Sequence, residues 1–230
     1  MVAKIKYWFQ NYWYYYKWPV ILIAFFAAVI LFCVIQSESR EKADAYILYT
    51  GPYFFEMGEK ANLENTFSQI MKEDYDGDGK KTVSIVDMPA FSADEIKEAV
   101  GTSEDMSLML KYAPYTYDEV SENFSQQVFA GETVICLLDP HWFARLKENS
   151  GLVPLEEVLG YKPEGMVDAY GVTFSTLAFS QFFDAAGKLP EDTVICFRRL
   201  STASAFTGKD AAEKNYENSK KILQDIFAFS

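Results

Sequence analysis

Three aspartates at alternate positions, Asp74, Asp76 and Asp78, followed by Gly79, spell D-x-D-x-D-G. In a calcium loop of this pattern alternate oxygens turn toward one cation, and the glycine permits the sharp bend. Lys80 offers its carbonyl and Thr82 a hydroxyl or a bound water. The twelfth position, where a bidentate glutamate belongs, holds Ile85, and TVSIV after the loop reads as a strand instead of a helix. Two readings stay open. One is a calcium site, weak unless another part of the fold supplies a carboxylate; the other is a polar turn built from two Asp-Gly dipeptides. Repulsion among three carboxylates within five residues keeps the cation in play.

A second set of residues follows from topology, because ligands of open α/β sheets bind beyond the carboxyl ends of the strands. Tyr49 and Tyr53 follow the first predicted strand, Asp87 the second, and Asp139, His141 and Trp142 the third. A strand order 2-1-3 would bring them to one rim, suited to an uncharged or cationic small molecule or a protein loop. The alternative is that these aromatics cap the sheet as core. His141 beside Asp139 invites an acid/base reading, yet no G-x-S-x-G or other recognisable nucleophile accompanies it. The reading is therefore non-catalytic. Arg198 and Arg199 end the last strand and read as solvated or salt-bridged, with reach to a ligand as the alternative. Cys136 and Cys196 lie mid-strand in apolar runs and read as inert buried thiols, with a bridge between adjacent strands as the alternative outside the cell.

Composition limits the field. The 230 residues carry a net charge of −12 and a single histidine, which excludes a basic nucleic-acid binder and a histidine-built metal site. Residues 1–37 contain Lys4, Lys6 and Lys17 and no carboxylate, so a small basic head precedes a strongly acidic body.

The elements that must position these groups are legible as alternating apolar runs. Strands are predicted at 45–50, 82–87, 133–138, 171–177 and 193–197, and helices at 62–73, 117–130 and 209–227. A capping box at Ser92 and Glu95 opens a further helix. This pattern predicts one α/β domain over 45–230 with a mostly parallel sheet covered by helices.

Ahead of it, twenty consecutive uncharged residues, 18–37, match the length of a transmembrane helix through the lipid bilayer, with Cys33 as an apolar membrane residue. Residues 1–17 then read as a cytoplasmic or interfacial aromatic segment and 38–44 as a short stalk. The lysines before the span place the N-terminus in the cytoplasm and the acidic domain outside the cell membrane, as a single-pass protein.

The stretches Tyr46 to Tyr53, DYDGDG (74–79) before TVSIVD, and AGETVICLLDPHWFARL (130–146) followed by GLVPL (151–155) resemble the first lobe of extracellular solute-binding proteins of ABC importers. Taken with YTGPY (49–53), LPEDT (189–193) and RR (198–199), the chain also looks like a group of single-pass surface proteins of Gram-positive gut bacteria. The resemblance implies one lobe of a periplasmic-binding-protein-like fold. A lobe alone cannot close on a solute, which leaves a membrane-anchored extracellular module that recruits or stabilises a membrane or surface protein partner. A small-ligand receptor or transport accessory is the alternative, and a surface hydrolase a distant second.

Overall fold

In a computed structural model of the chain, residues 16–32, 43–101, 106–200 and 209–229 are described. The chain divides into two units, Met1–Lys42 and Ala43–Ser230. In the first, residues 16–32 form a helix (α1). Among the described residues no helix is long and apolar enough to cross a membrane. The transmembrane span expected at 18–37 is thereby overturned, and its last five residues lie outside the described ones. The bilayer partner, the single-pass placement at the cell membrane and the membrane-anchored role all depended on that span and fall with it.

In the second unit the parallel strands β1 (Ala45–Gly51), β2 (Val83–Pro89) and β3 (Thr133–Leu138) are linked by helices. Helix α2 (Glu59–Ile70) joins the first two; α3 (Ala93–Val100), α4 (Met106–Tyr112) and α5 (Tyr117–Ala130) lie between the second and third. Ser92 and Glu95 do close a capping box on α3. After β3 come α6 (Pro140–Glu148), α7 (Leu155–Leu159), the short hairpin β4 (Met166–Asp168) and β5 (Gly171–Thr173), and α8 (Ala178–Phe182). Strand β6 (Val194–Phe197) and the long helix α9 (Lys209–Ala228) complete the described elements.

The sheet order is β2-β1-β3-β6-β5-β4. Three strands are parallel, but β6 runs antiparallel to β3, and β5 and β4 continue antiparallel. The sheet is therefore mixed and not mostly parallel. The reason is the route from β3: α6, α7, the hairpin and α8 all intervene, and β6 enters the sheet reversed instead of by a single helical crossover.

Side chains alternate across the sheet with the two-residue period of strands. Ile47, Tyr49, Ile135, Leu137, Ile195 and Phe197 pack with Leu63 and Phe67 of α2 and Ile222, Leu223 and Ile226 of α9. Leu48, Cys136, Leu138, Val194 and Cys196 face the other way, against Val120 and Phe124 of α5 and Trp142, Phe143 and Leu146 of α6. Burial on both faces is why the central strands read as unbroken apolar runs.

Candidate metal centre

The D-x-D-x-D-G loop enters β2 at the amino end of the parallel strands, remote in the sheet from their carboxyl rim. Its conformation is set by its own carboxylates. Asp74 accepts the Gly77 amide at 2.7 Å on one oxygen and the Gly79 amide at 2.6 Å on the other. Asp76 accepts the Asp78 amide at 2.9 Å, and Asp78 that of Lys80 at 2.8 Å. Gly77 and Gly79 adopt φ of 87° and 90°, left-handed values at which a Cβ would be strained.

A residue outside the motif completes the arrangement. Asp44, just before β1 and 2% exposed, accepts the amides of Tyr75 (2.7 Å), Asp76 (2.9 Å) and Thr82 (2.8 Å). Its own amide donates to the Thr82 carbonyl at 2.9 Å. Carboxylate oxygens of Asp44, Asp74 and Asp76 lie within 4.8 Å of one another. These three form a cluster that can hold a metal ion. Each carboxylate has about four acceptor positions; the amides named take three on Asp44, two on Asp74 and one on Asp76, so each keeps capacity for a cation.

The electrostatics are divided. The Gly77 and Gly79 amides hold the Asp74 carboxyl below the usual carboxylate range, whereas burial, and then the negative charge of Asp44, push Asp76 up despite the Asp78 amide. The helix α9 braces the loop from outside. Lys214 donates to the Asp76 carbonyl at 2.9 Å. Buried Asp225 accepts the Tyr75 hydroxyl at 2.5 Å and the Lys72 amide at 3.0 Å, and pairs with the Lys72 ammonium at 3.1 Å.

Of the three aspartates predicted from the motif, Asp74 and Asp76 join the cluster and Asp78 stays outside it, while the Lys80 amide donates to Asp78 and the Thr82 amide to Asp44. The sequence alone places Asp44 in the stalk, after the charged run 38–42. The signal that could have found it is a lone carboxylate directly against a fully apolar strand, where burial demands partners. Ile85, at the twelfth position, is buried in the core, and the third carboxylate of the cluster is that of Asp44.

The carboxyl rim is arranged differently. Tyr49 and Trp142 are fully buried and belong to the core. Asp139 caps α6 by accepting the Trp142 amide at 2.8 Å and takes the Tyr117 hydroxyl at 2.6 Å on its other oxygen. Burial raises its carboxyl above the ordinary range, against the pull of those two bonds. His141 stacks on the Tyr117 ring with centroids 4.2 Å apart. Among the described residues no hydrogen bond joins it to Asp139. Tyr53 donates to Glu59 at 2.8 Å, and Asp87 pairs with Lys60 at 2.6 Å. The rim residues are thus each held in contacts within the domain. Three buried polar atoms there, Tyr49 Oη, Thr50 Oγ1 and Trp142 Nε1, have no hydrogen-bond partner among the described residues.

Comparison with protein-family models, curated proteins and solved structures gives no match to this chain. The resemblance to an importer lobe and to single-pass surface proteins is accordingly withdrawn. A run of short motifs in the same order is weak evidence when each is a generic strand end or turn, because any α/β chain with this element order produces them.

Proposed function

We propose that the Ala43–Ser230 unit is a non-catalytic, calcium-binding α/β module in which the ion ties the start of β1 to the loop before β2. The observation that carries this reading is the convergence of Asp44 with Asp74 and Asp76 within 4.8 Å. That separation fits within the diameter of a calcium shell, about 4.6–5.2 Å across for Ca–O bonds of 2.3–2.6 Å. All the donors are hard oxygens, which favours calcium or magnesium over the softer transition metals. Magnesium asks for a tighter octahedron about 4.2 Å across and retains several waters. A loop preset by backbone amides, with carboxylates from two separate parts of the chain, suits the larger and more adaptable ion.

The non-catalytic part rests on Asp139 and His141. Asp139 accepts bonds from Trp142 and Tyr117, His141 lies against the Tyr117 ring, and among the described residues no hydrogen bond joins the two, which supports the non-catalytic reading.

Thermal unfolding of the full chain in chelator and in millimolar calcium tests the reading. A ligand that binds only the folded state stabilises it by RT ln(1 + [L]/Kd), about 2.7 kcal/mol at a hundredfold excess over Kd. The midpoint should rise with calcium in wild type, rise less with magnesium, and stay put in Asp76→Asn. An unchanged wild-type midpoint would remove the metal from the account.

A further inference from the structure

Cys136 of β3 and Cys196 of β6 are register partners in the antiparallel pair. Both are free, fully buried thiols on the sheet face covered by α5 and α6. Two residues further along, the Arg198 amide donates to the Val134 carbonyl at 2.8 Å, so Cys136 and Cys196 occupy the hydrogen-bonded type of antiparallel position. Opposed Cα atoms there stand about 5.5 Å apart, inside the roughly 4.4–6.8 Å range that a disulfide spans.

A second observation concerns the charge beside them. Arg198 follows Cys196 by one strand period and is 3% exposed. Its guanidinium donates to the Thr133 carbonyl at 2.6 Å, to the Thr133 hydroxyl at 3.3 Å and to the Val128 carbonyl, while Nε has no partner among the described residues. No carboxylate pairs with it among the described residues. A buried guanidinium without a counter-charge is costly, and a neighbouring thiolate is the group able to offset it. The Arg198 charge favours the Cys196 thiolate, although burial and the adjacent Cys136 thiol outweigh it and hold Cys196 protonated in the closed fold.

We propose that Cys136 and Cys196 form a redox-modifiable dithiol that closes to a cross-strand disulfide by exchange with a small-molecule disulfide, with Arg198 favouring the attacking thiolate. One cysteine, deprotonated as the short β6 strand opens, attacks a sulfur of the oxidant. The oxidant's S–S bond breaks, one half leaves as a thiolate, and a mixed disulfide remains on the protein. The second cysteine then attacks the protein sulfur of that mixed disulfide and expels the other half. Two cysteines are oxidised, one small disulfide is reduced to two thiols, and the two cysteine protons end on them.

The test uses the full chain as Cys33→Ser, so that these two thiols are the whole set. It is incubated folded with oxidised glutathione, acid-quenched, alkylated, and mapped by mass spectrometry without reduction. The expected product is a Cys136–Cys196 cross-link lacking two hydrogens, with a higher unfolding midpoint than the reduced chain. Cys136→Ser and Cys196→Ser should each stop at a glutathione mixed disulfide. Arg198→Met should slow closure at fixed pH and move its pH profile upward, because removing the neighbouring positive charge raises the thiol pKa and lowers the thiolate fraction. Arg198→Lys should restore the rate. A folded chain whose two cysteines remain fully alkylatable, or cross-link only in denaturant, would overturn the proposal; equal rates for Arg198→Met and wild type would remove Arg198 from it.

Discussion

The carboxylate of Asp44 accepts the backbone amide of Tyr75 at 2.7 Å, joining the residue before β1 to the middle of an acidic loop 31 positions later. With the Asp76 and Thr82 amides on the same side chain, it makes Asp44 a brace for the loop as well as a member of the carboxylate cluster that could hold an ion. The two roles can be separated by experiment, because the brace acts without any ion.

Asp44→Ala in chelator should lose about 3 kcal/mol of stability or more, since three backbone amides lose a charged acceptor and such bonds contribute roughly 1.5–3 kcal/mol each. Denaturant titration of both chains in calcium-free buffer measures the difference. A loss below about 0.5 kcal/mol would match an ordinary surface position and contradict the bracing geometry.

Tyr75 and Asp225 should be energetically coupled. The tyrosine hydroxyl and the Lys72 amide share one Asp225 oxygen, and burial together with that bond pushes the Tyr75 hydroxyl's pKa upward. In a double-mutant cycle of Tyr75→Phe and Asp225→Asn, the coupling should exceed about 0.5 kcal/mol. Additive effects would mean that α9 does not hold the loop through this bond.

Tyr49→Phe offers an opposite sign. The hydroxyl is buried without a hydrogen-bond partner among the described residues, and burial drives its pKa up. Removing an unpaired buried hydroxyl while keeping the ring should leave stability unchanged or raise it by about 1 kcal/mol. Measured destabilisation beyond about 1 kcal/mol would show that the hydroxyl has a partner in solution, and would return the rim to consideration as a binding surface.

Asp139 predicts a pH dependence. Its folded-state carboxyl is raised, chiefly by burial, so folding takes up a proton in the window just above the ordinary carboxylate range. Its favourable contribution is complete below the unfolded pKa and is lost as pH rises through the folded one. The stability of wild type relative to Asp139→Asn should therefore decline from acid toward neutral pH and then level off. Paired denaturant titrations across that range measure it; a difference that grows with pH would reverse the assigned shift.

Much of the architecture is written in local pattern. The apolar runs at 133–138 and 194–197 are strands, and 117–130 is a helix capped by Thr116. The D-x-D-x-D-G spacing marks a carboxylate-ordered loop because the bonds that shape it run between residues two to five apart. What depends on distant contact was hidden. Asp44 reaches the loop only through the β1–β2 pairing, and the reversed entry of β6 follows from an irregular connection without periodicity. The burial of Trp142 was equally hidden, because an aromatic at a strand's carboxyl end looks the same in sequence whether it lines a rim or fills the core. The uncharged stretch 18–37 misled for a related reason: an apolar run in the sequence is no proof of a spanning helix, and among the described residues no helix is long and apolar enough to cross a membrane.

Calorimetric titration of calcium into the chelator-treated full chain tests the central claim most directly. The account predicts saturable binding of one ion per chain, abolished in Asp74→Asn/Asp76→Asn and weakened in Asp44→Asn, with magnesium competing poorly. No heat above dilution up to millimolar calcium, or the same isotherm in the double variant, would contradict it.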